Sequence, residues 1–250
     1  PLRAGEFLFP VHVSSLNAIH ILQSGQTVAR YFTVAEGFSN AKIVASLINT
    51  LGMTGSVGRL PEEGRLLPET YHFSFGDARY RLIEQMNKAM AKLLDELWAK
   101  RATGLPFKSP DEALILASIV EKETGISAER ARVAAVFINR MRKGMRLQSD
   151  PTVVYGLTLG RHELGRALTH DDLRHVTPYN TYLIKRLPPT PITNPGRAAL
   201  NAVLNPVISD ELYFVADGTG GHVFAETFKE HKANVTRWRN LQRKKRFAID

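Results

Sequence analysis

The sequence predicts an α+β protein, with a small mixed unit over residues 1–60 and a larger helix-rich unit over residues 61–250. A long amphipathic pattern over Asp77–Arg101 and an almost wholly apolar pattern that begins at Pro110 predict the helices. A glycine-rich turn at residues 218–221, flanked by apolar segments, predicts a hairpin. At 250 residues and 44% hydrophobic content, the chain is long enough for one large domain or for a medium domain and a small one.

The first unit is predicted as strand, helix, strand and helix, over Glu6–Pro10, 15–23, Thr27–Val34 and Asn40–Leu51. Ser14 and Ser39 are expected to cap the two helices, because a serine hydroxyl accepts a hydrogen bond from the first helical turn. Gly25 and Gly52 follow the two helix ends. Gly52–Gly64, rich in glycine and polar residues, is interpreted as the connection to the second unit.

The second unit opens with Leu66–Phe75, which is interpreted as a loop that borders a site because it carries Glu69 after a proline. Asp77–Arg101 follows as a long helix. Its apolar stripe is expected in the core and consists of Leu82, Ile83, Met86, Met90, Leu93, Leu94, Leu97 and Trp98.

The helix that begins at Pro110 is apolar on nearly all of its faces, which is typical of a buried element. Ser109 is expected to be its N-cap, and Gly125 is expected to end it in the left-handed conformation. Glu121 and Glu123 then lie in the last turn, where the negative end of the helix dipole disfavours a carboxylate.

Two interpretations of this pair remain open from the residues alone. Burial and the dipole raise the pKa of a glutamate, as a general acid at neutral pH requires, but solvated glutamates at a helix end are also common. Two residues along a helix correspond to a rotation of about 200°, so Glu121 and Glu123 face opposite ways and cannot act jointly on one bond. A second catalytic carboxylate, if one is needed, has to come from elsewhere, such as Glu69 or Asp150.

Next, Ala128–Lys143 is predicted as a helix, Met145–Asp150 as a loop and Pro151–Leu157 as a short apolar segment. Residues 158–196 are turn-rich, and Arg197–Leu204 is predicted as a short helix. Glu211–Asp217 and His222–Glu226 are predicted as a hairpin, and residues 228–246 as the terminal helix. Ser127 is expected to cap the first of these helices and Gly144 to stop it, while Thr227 and Glu230 form a capping box for the last. A turn-rich region of this length is more typical of a functional than of a passive segment.

Composition and motifs exclude several kinds of chemistry. The chain has no cysteine, and its eight histidines show no metal-ligand spacing, so neither a thiolate nor a metal site is expected. No phosphate-binding or dinucleotide-binding glycine motif and no nucleophile-elbow motif is present, so no cofactor is expected. If the chain is an enzyme, carboxylate acid/base chemistry is the kind that its residues still allow. No apolar run approaches the length of a membrane span.

The net charge of +9 favours a polyanionic partner such as nucleic acid, anionic lipid or a charged wall polymer. Much of this charge lies between Lys229 and Arg246, where eight Lys or Arg accompany one acidic residue. Nucleic-acid binding is not expected, because the aromatic residues of this segment, Trp238 and Phe247, do not form a stacking array.

Five ordered blocks carry a family resemblance: ILASIVEKET (115–124), VFINRMRKGMRLQSDPTVVYG (136–156), TPYNTY (177–182), LPPTPITNPG (187–196) and LYFVADGTGGHVF (212–224). Together they resemble the YceG-like family of endolytic murein (peptidoglycan) transglycosylases. The resemblance is dense over residues 60–250, while residues 1–60 resemble more loosely the family's LysM-like subdomain. It implies a LysM-like β-α-β-α subdomain followed by a helix-rich catalytic domain with a hairpin.

The resemblance also implies a lytic transglycosylase, which cleaves the β-1,4 bond between N-acetylmuramic acid and N-acetylglucosamine without water and leaves 1,6-anhydromuramic ends. One carboxylic acid suffices for this reaction, first as general acid and then as base. The family's catalytic glutamate is the first in the EKET block, which is Glu121 here, and Glu123 is expected to hydrogen-bond within the fold. The substrate-binding residues implied by the matching blocks, with Glu69 added, are Gln148, Ser149, Asp150, Tyr179, Asn180, Thr181, Tyr182 and Glu69. These residues, Asp150 and Asn180 above all, are equally suited to turns.

Family members of this kind are anchored in the bacterial inner membrane by a single span, with the catalytic part in the periplasm. The resemblance therefore implies peptidoglycan strands as substrate, peptidoglycan synthases (penicillin-binding proteins) as partners and a role in terminating nascent strands. An excised part without its anchor is expected here, because the chain contains no apolar run of the required length. A non-catalytic peptidoglycan-binding module is the alternative, but binding does not require an acid at the negative end of a helix.

Overall fold

The computed structural model describes residues 5–247, and within them the fold is α+β, as predicted. The helices are α1 (Ser15–Ser24), α2 (Asn40–Ile48), α3 (Arg79–Ala99), α4 (Pro110–Glu123), α5 (Ser127–Arg142), α6 (Asp150–Thr158), α7 (His170–Arg174), α8 (Arg197–Leu204) and α9 (Phe228–Phe247). The strands are β1 (Arg30–Thr33), β2 (Thr70–Phe73), β3 (Tyr213–Ala216) and β4 (His222–Ala225). Residues 1–4 and 248–250, which the two predicted units include, lie outside the described residues.

The first sixty residues differ from the predicted order of elements. Both helices begin after the predicted caps, since Ser14 and Ser39 each accept a backbone N–H of the first turn. Glu6–Pro10 forms no strand: Glu6 is linked to the second predicted strand by one backbone hydrogen bond, from Val28 N to Glu6 O, and by the Arg30 guanidinium, which donates to its carboxylate. The strand–helix–strand–helix prediction is therefore wrong in its first element, and the LysM-like character stays a prediction.

β1 instead pairs with β2, in an antiparallel register that places Arg30 opposite Phe73. β2 lies within Leu66–Phe75, which the sequence predicted as a loop, so that prediction is wrong over these four residues. Tyr71 and Phe73 are buried and their neighbours are exposed. An alternation of only four residues is too short to be recognised in the sequence without its partner strand.

Helix α3, predicted to within two residues at each end, connects two apolar clusters. Leu82 and Met86, in its first half, pack with residues of β1, β2 and α2. Met90 and Leu93, in its second half, pack with residues of α4, α5 and α8. The first cluster and the β1–β2 sheet both contain residues from either side of position 60, so the division into 1–60 and 61–250 stays a prediction.

Helix α4 lies at the centre of the second cluster, in contact with α3, α5, α6 and α8. Its start is as predicted, with Ser109 as N-cap and Pro110 as first residue. Its end is not, because Thr124 adopts an extended conformation and Gly125 is not left-handed. The Thr124 hydroxyl accepts the N–H of Ile126 at 3.0 Å. Ile126 therefore precedes α5 as its N-cap residue, and the predicted cap at residue 127 is wrong.

The second half of the chain follows the prediction with two additions. Helix α8 has the predicted bounds, the hairpin β3–β4 forms around the glycine-rich turn, and Thr227 and Glu230 exchange the two hydrogen bonds of a capping box. The segment Pro151–Leu157 lies within a helix, α6, and the short helix α7 interrupts the turn-rich region. Among the described residues, no helix combines the length and the apolar character needed to cross a bilayer.

Candidate active site

The last turn of α4 carries two glutamates whose carboxylates have different partners. Glu121 Oε2 accepts the backbone N–H of Gly196, directly before α8, at 2.9 Å. Glu123 Oε1 accepts the hydroxyl of Ser149, directly before α6, at 2.5 Å. The rotation between two positions on a helix separates their partners. The structure therefore contains two distinct carboxylate environments at one helix end.

The side chain of Glu121 is buried, with 5% of its surface exposed. Burial raises the pKa of Glu121, because the charged form loses its hydration. The hydrogen bond from Gly196 lowers this pKa, the negative charge of Glu36 raises it, and the positive charges of Arg130 and Lys122 lower it. The net effect is a raised pKa, as a carboxyl group that donates a proton near neutral pH requires.

Glu36 reaches this place from the loop between β1 and α2. Gly37 N donates to Asn194 O and Asn194 N donates to Phe38 O, both at 3.0 Å, and these bonds fix the loop against the segment before α8. A Cβ atom added at Gly196 would lie 1.7 Å from Glu36 Oε1. The carboxyl group of Glu36 therefore rests against the Gly196 backbone, on the same residue that holds Glu121.

Arg130, on α5, approaches Glu121 without forming a hydrogen bond. Its Nη2 lies 3.8 Å from Glu121 Oε1, and only 9% of its side chain is exposed. Its Nε is buried and has no acceptor among the described residues. A buried donor without an acceptor is destabilising, so this guanidinium is suited to an acceptor supplied by a ligand or by a shift of Glu121.

Glu123 lies in a network that involves the loop before α6 and the hairpin. Burial raises the pKa of Glu123 to about 7, although the hydrogen bond from Ser149 opposes this shift. The charge of Asp150 raises this pKa further, while His222 and Arg140 lower it. The hydrogen bond from Ser149 agrees with the expectation that Glu123 hydrogen-bonds within the fold.

The loop Gln148–Asp150 joins this network to the segment Pro178–Tyr182. Gln148 is exposed in a left-handed conformation (φ 52°), and its N–H donates to Thr181 O at 3.1 Å. Ser149 is buried, and its N–H donates to Thr181 Oγ1 at 2.9 Å. Asp150 is exposed, and its Oδ1 accepts the Tyr182 hydroxyl at 2.6 Å. Of this loop, only Gln148 and Asp150 present their side chains to solvent.

Asn180 and Thr181 are fully buried and bind other parts of the chain. Asn180 Nδ2 donates to Leu173 O at 3.0 Å and to His175 O at 2.8 Å. Thr181 Oγ1 lies 2.8 Å from Thr152 Oγ1. Both residues support the loop in this structure, and their predicted contact with substrate stays a prediction.

The two remaining predicted residues make other contacts. The hydroxyl of Tyr179 lies 2.9 Å from Thr190 Oγ1, and its ring packs edge-on against Tyr155. Glu69 is exposed at the start of the second strand, and its carbonyl accepts Val34 N at 3.0 Å. Its carboxylate forms no hydrogen bond or ion pair with the rest of residues 5–247, so its role also stays a prediction.

Sequence reasoning did not identify Glu36, Arg130 or Gly196 as parts of the site. Glu36 and Gly196 are 160 positions apart in the chain and meet only because the loop after β1 packs against the segment before α8. Arg130 lies in the predicted helix Ala128–Lys143, where no local pattern distinguishes it from the other charged residues. No spacing rule connects such residues, and only the tertiary fold shows that they share one place.

A cleft of about 780 Å³ lies beside the end of α4, within the size range of small-molecule sites. Its wall includes Gly37, Lys122 and Asp150, which places it next to both carboxylate environments. Arg161 and Arg166, in the loop after α6, also line it. The carboxylates of Asp150 and Glu163 therefore line the cleft together with cationic side chains, and most of its surface is apolar.

Comparison with known proteins is decisive for the family. The model of the YceG-like family matches residues 1–237. This chain belongs to the YceG-like family. A crystal structure of a yceG-like protein from Listeria monocytogenes has the same fold, with a TM-score of 0.64, 33% identity, and coverage of 87% of this chain and 80% of that one.

Two curated YceG-like relatives carry the name endolytic murein transglycosylase. The protein from Bacillus subtilis (strain 168) is 39% identical over 176 residues, which are 68% of this chain and 46% of the relative. The protein from Streptococcus pneumoniae (strain D39) is 34% identical over 197 residues, which are 76% of this chain and 34% of the relative. The chain thus spans less than half the length of the curated relatives it matches.

Proposed function

We propose that this chain is the catalytic part of an endolytic murein transglycosylase. It cleaves the β-1,4 bond between N-acetylmuramic acid and N-acetylglucosamine without water and leaves a 1,6-anhydromuramic end. The observation that carries this proposal is the buried Glu121 carboxyl, with its raised pKa, at the end of α4 beside a cleft. The names of the YceG-like relatives supply the substrate class, murein.

In the first step Glu121, protonated, gives its proton to the glycosidic oxygen as the bond from that oxygen to the anomeric carbon breaks. The positive charge that develops on the sugar is relieved when its own C6 hydroxyl oxygen attacks the anomeric carbon. Glu121, now a carboxylate, takes the hydroxyl proton and returns to its starting form. One carboxyl group therefore serves both as general acid and as general base.

The contacts of Glu121 support its use first as general acid and then as general base. Gly196 N–H holds Oε2 and orients the group, while Oε1 has no hydrogen bond within residues 5–247 and is the oxygen available to carry the proton. Burial favours the protonated form before the reaction. Arg130, 3.8 Å from Oε1, favours the carboxylate that forms after the proton has left.

We further propose that the exposed or half-buried residues of the predicted set contact the glycan: Gln148, Asp150, Tyr179, Tyr182 and Glu69. The buried ones, Ser149, Asn180 and Thr181, act by holding the loop before α6 in place. The cleft that Asp150 lines has the size and the mixed apolar and polar walls expected of a sugar-binding groove.

The curated relatives are longer than this chain. We propose that a protein of that kind acts at the outer face of the bacterial inner membrane. A single-pass anchor would hold it there, close to the peptidoglycan synthases (penicillin-binding proteins), where it terminates nascent strands. The murein named for the relatives supports the cell-wall substrate. The anchor and the synthase partners rest on the family resemblance.

Mass spectrometry of the products from purified sacculi tests the reaction. The wild-type chain is expected to release fragments with 1,6-anhydromuramic ends, and Glu121→Gln is expected to release none while its thermal unfolding remains close to wild type. Undiminished anhydro products from Glu121→Gln would overturn the assignment, and reducing ends from the wild type would indicate a hydrolase instead.

Glu123→Gln is the matched control, since it changes the neighbouring carboxyl of the same helix turn. It is expected to retain anhydro products. A wild-type chain that binds glycan strands but releases no fragments at all would favour the non-catalytic binding module.

A further inference from the structure

Resting on the proposed function, we propose that Glu36 is a positioning residue of the site, whose negative charge keeps the Glu121 carboxyl protonated until it reacts. Glu36 comes from the loop between β1 and α2, in the first sixty residues of the chain. The N-terminal region would then contribute directly to the acid/base chemistry instead of only holding the glycan.

The first support is the contact that both glutamates make with one residue. Gly196 N donates to Glu121 Oε2 at 2.9 Å, and a Cβ atom at Gly196 would lie 1.7 Å from Glu36 Oε1 and 2.3 Å from its Cδ. Standard bond lengths then place the two carboxylates no more than about 7 Å apart. Gly196 has φ −80°, which any residue adopts, so it is the Glu36 carboxyl that excludes a side chain here.

The second support is that the fold does not use the Glu36 carboxylate elsewhere. Within residues 5–247 it forms no hydrogen bond and no ion pair, and the residue is exposed, while its neighbour Gly37 lines the cleft. The loop itself is fixed by backbone hydrogen bonds between Gly37, Phe38 and Asn194. A carboxylate held near a buried acid by a fixed loop, without a partner of its own, is suited to act through its charge.

The third support is the set of charges around Glu121. Lys122 from α4 and Arg130 from α5 favour the carboxylate form, as does the N–H of Gly196 at the start of α8. Glu36 is the negative charge that opposes them, and like charges at short range disfavour ionisation. The Arg130 side chain is more than nine-tenths buried, and its Nε has no acceptor within residues 5–247.

A ¹³C NMR titration of the Glu121 carboxyl carbon in glutamate-labelled protein tests this without any substrate, with Glu121→Gln used to assign the signal. Glu36→Gln removes the charge and retains the shape, so the pKa of Glu121 is expected to fall. Glu36→Asp retains the charge and is expected to shift the pKa less. Glu84→Gln, which removes an exposed carboxylate on α3, is expected to leave it unchanged.

The same variants are then compared for kcat/KM against pH. Because the acid form of Glu121 is the active one, the fall in kcat/KM at high pH is expected to move to lower pH in Glu36→Gln and not in Glu84→Gln. An unchanged Glu121 pKa in Glu36→Gln would overturn the inference and leave the proposed function standing. Activity in Glu121→Gln would overturn the proposed function, whereas the titration would still report the effect of Glu36.

A stability measurement checks the contact itself. Gly196→Ala is expected to lower the unfolding temperature of the wild type, since its Cβ collides with the Glu36 carboxyl. In a Glu36→Ala background the same change is expected to lower it much less. Equal losses in both backgrounds would mean that Glu36 does not rest on Gly196, and the inference would fail.

Discussion

The environments of Glu121 and Glu123 differ although one residue separates them on α4. Glu121 meets backbone and charge from α8, α5 and the loop after β1. Glu123 accepts a hydroxyl from the loop before α6 and lies near the hairpin residue His222. Burial raises the pKa of both carboxyls, so a raised pKa by itself does not identify the catalytic group.

The partners of the two carboxyls differ, although the directions of their pKa shifts do not. Glu121 Oε1 has no hydrogen bond within residues 5–247 and lies 3.8 Å from Arg130 Nη2, while the buried Nε of Arg130 has no acceptor among the same residues. Glu123 likewise has one oxygen, Oε1, held by Ser149, and its Oε2 has no hydrogen bond within residues 5–247, but the charged groups near it are Asp150, His222 and Arg140. These partners support the proposal that Glu121 transfers the proton and that Glu123 holds the loop before α6.

The largest expected effect is on the rate. Glu121→Gln should lower kcat by about 10²–10⁴-fold, the usual contribution of a general acid, while Glu123→Gln should lower it by no more than roughly tenfold. Initial rates of anhydro-product release measure both. A larger loss in Glu123→Gln than in Glu121→Gln would reverse the assignment of the two roles.

Truncating a buried side chain of α4, the helix that carries both carboxylates, should lower the free energy of unfolding. Leu116 is completely buried at the centre of α4, and Leu116→Ala should lower the free energy of unfolding by about 2–5 kcal/mol. Urea denaturation gives this value. Leu51→Ala, at a side chain that is 84% exposed, is the control and should change the free energy very little. Equal effects would contradict the central position of α4.

The pH dependence of stability should distinguish the two glutamates next. The pKa of Glu123 rises from an ordinary 4.5 to about 7 in the fold, so the folded state holds the proton more tightly. Its contribution is fully present below about pH 4.5 and is lost as the pH rises to 7, which amounts to about 3 kcal/mol. Urea denaturation of Glu123→Gln between pH 4 and pH 8 should lack this loss; the same slope as wild type would exclude it.

The smallest expected effect concerns Arg130. Arg130→Gln removes a positive charge 3.8 Å from Glu121, so the pKa of Glu121 should rise and the fall of kcat/KM at high pH should move to higher pH. Arg132→Gln, two residues further along α5, affects an ion pair with Glu211 instead. Its pH profile should match that of the wild type. Identical shifts in both variants would point to net charge and not to the contact.

Elements with long or well-capped patterns were predictable from the sequence. α3, α8 and the capping box of α9 follow from apolar periodicity and from cap residues that act over three or four positions. β2 was not predictable, because a four-residue strand exists only through its pairing with β1. The last turn of α4 carries Glu121 and Glu123 as predicted, but the left-handed stop at Gly125 was wrong, because Thr124 is extended and its hydroxyl accepts the N–H of Ile126.

The sequence by itself determined that α4 is a buried helix whose last turn carries Glu121 and Glu123 on opposite sides, and its ordered blocks indicated the YceG-like family. The tertiary structure decided which groups meet each carboxyl. Gly196, Arg130 and Glu36 come from three separate elements, and the packing of α8, α5 and the loop after β1 around α4 brings them to Glu121. Local patterns report interactions over a few residues, whereas the chemistry of this site depends on charges that are distant in the chain and close only in the fold.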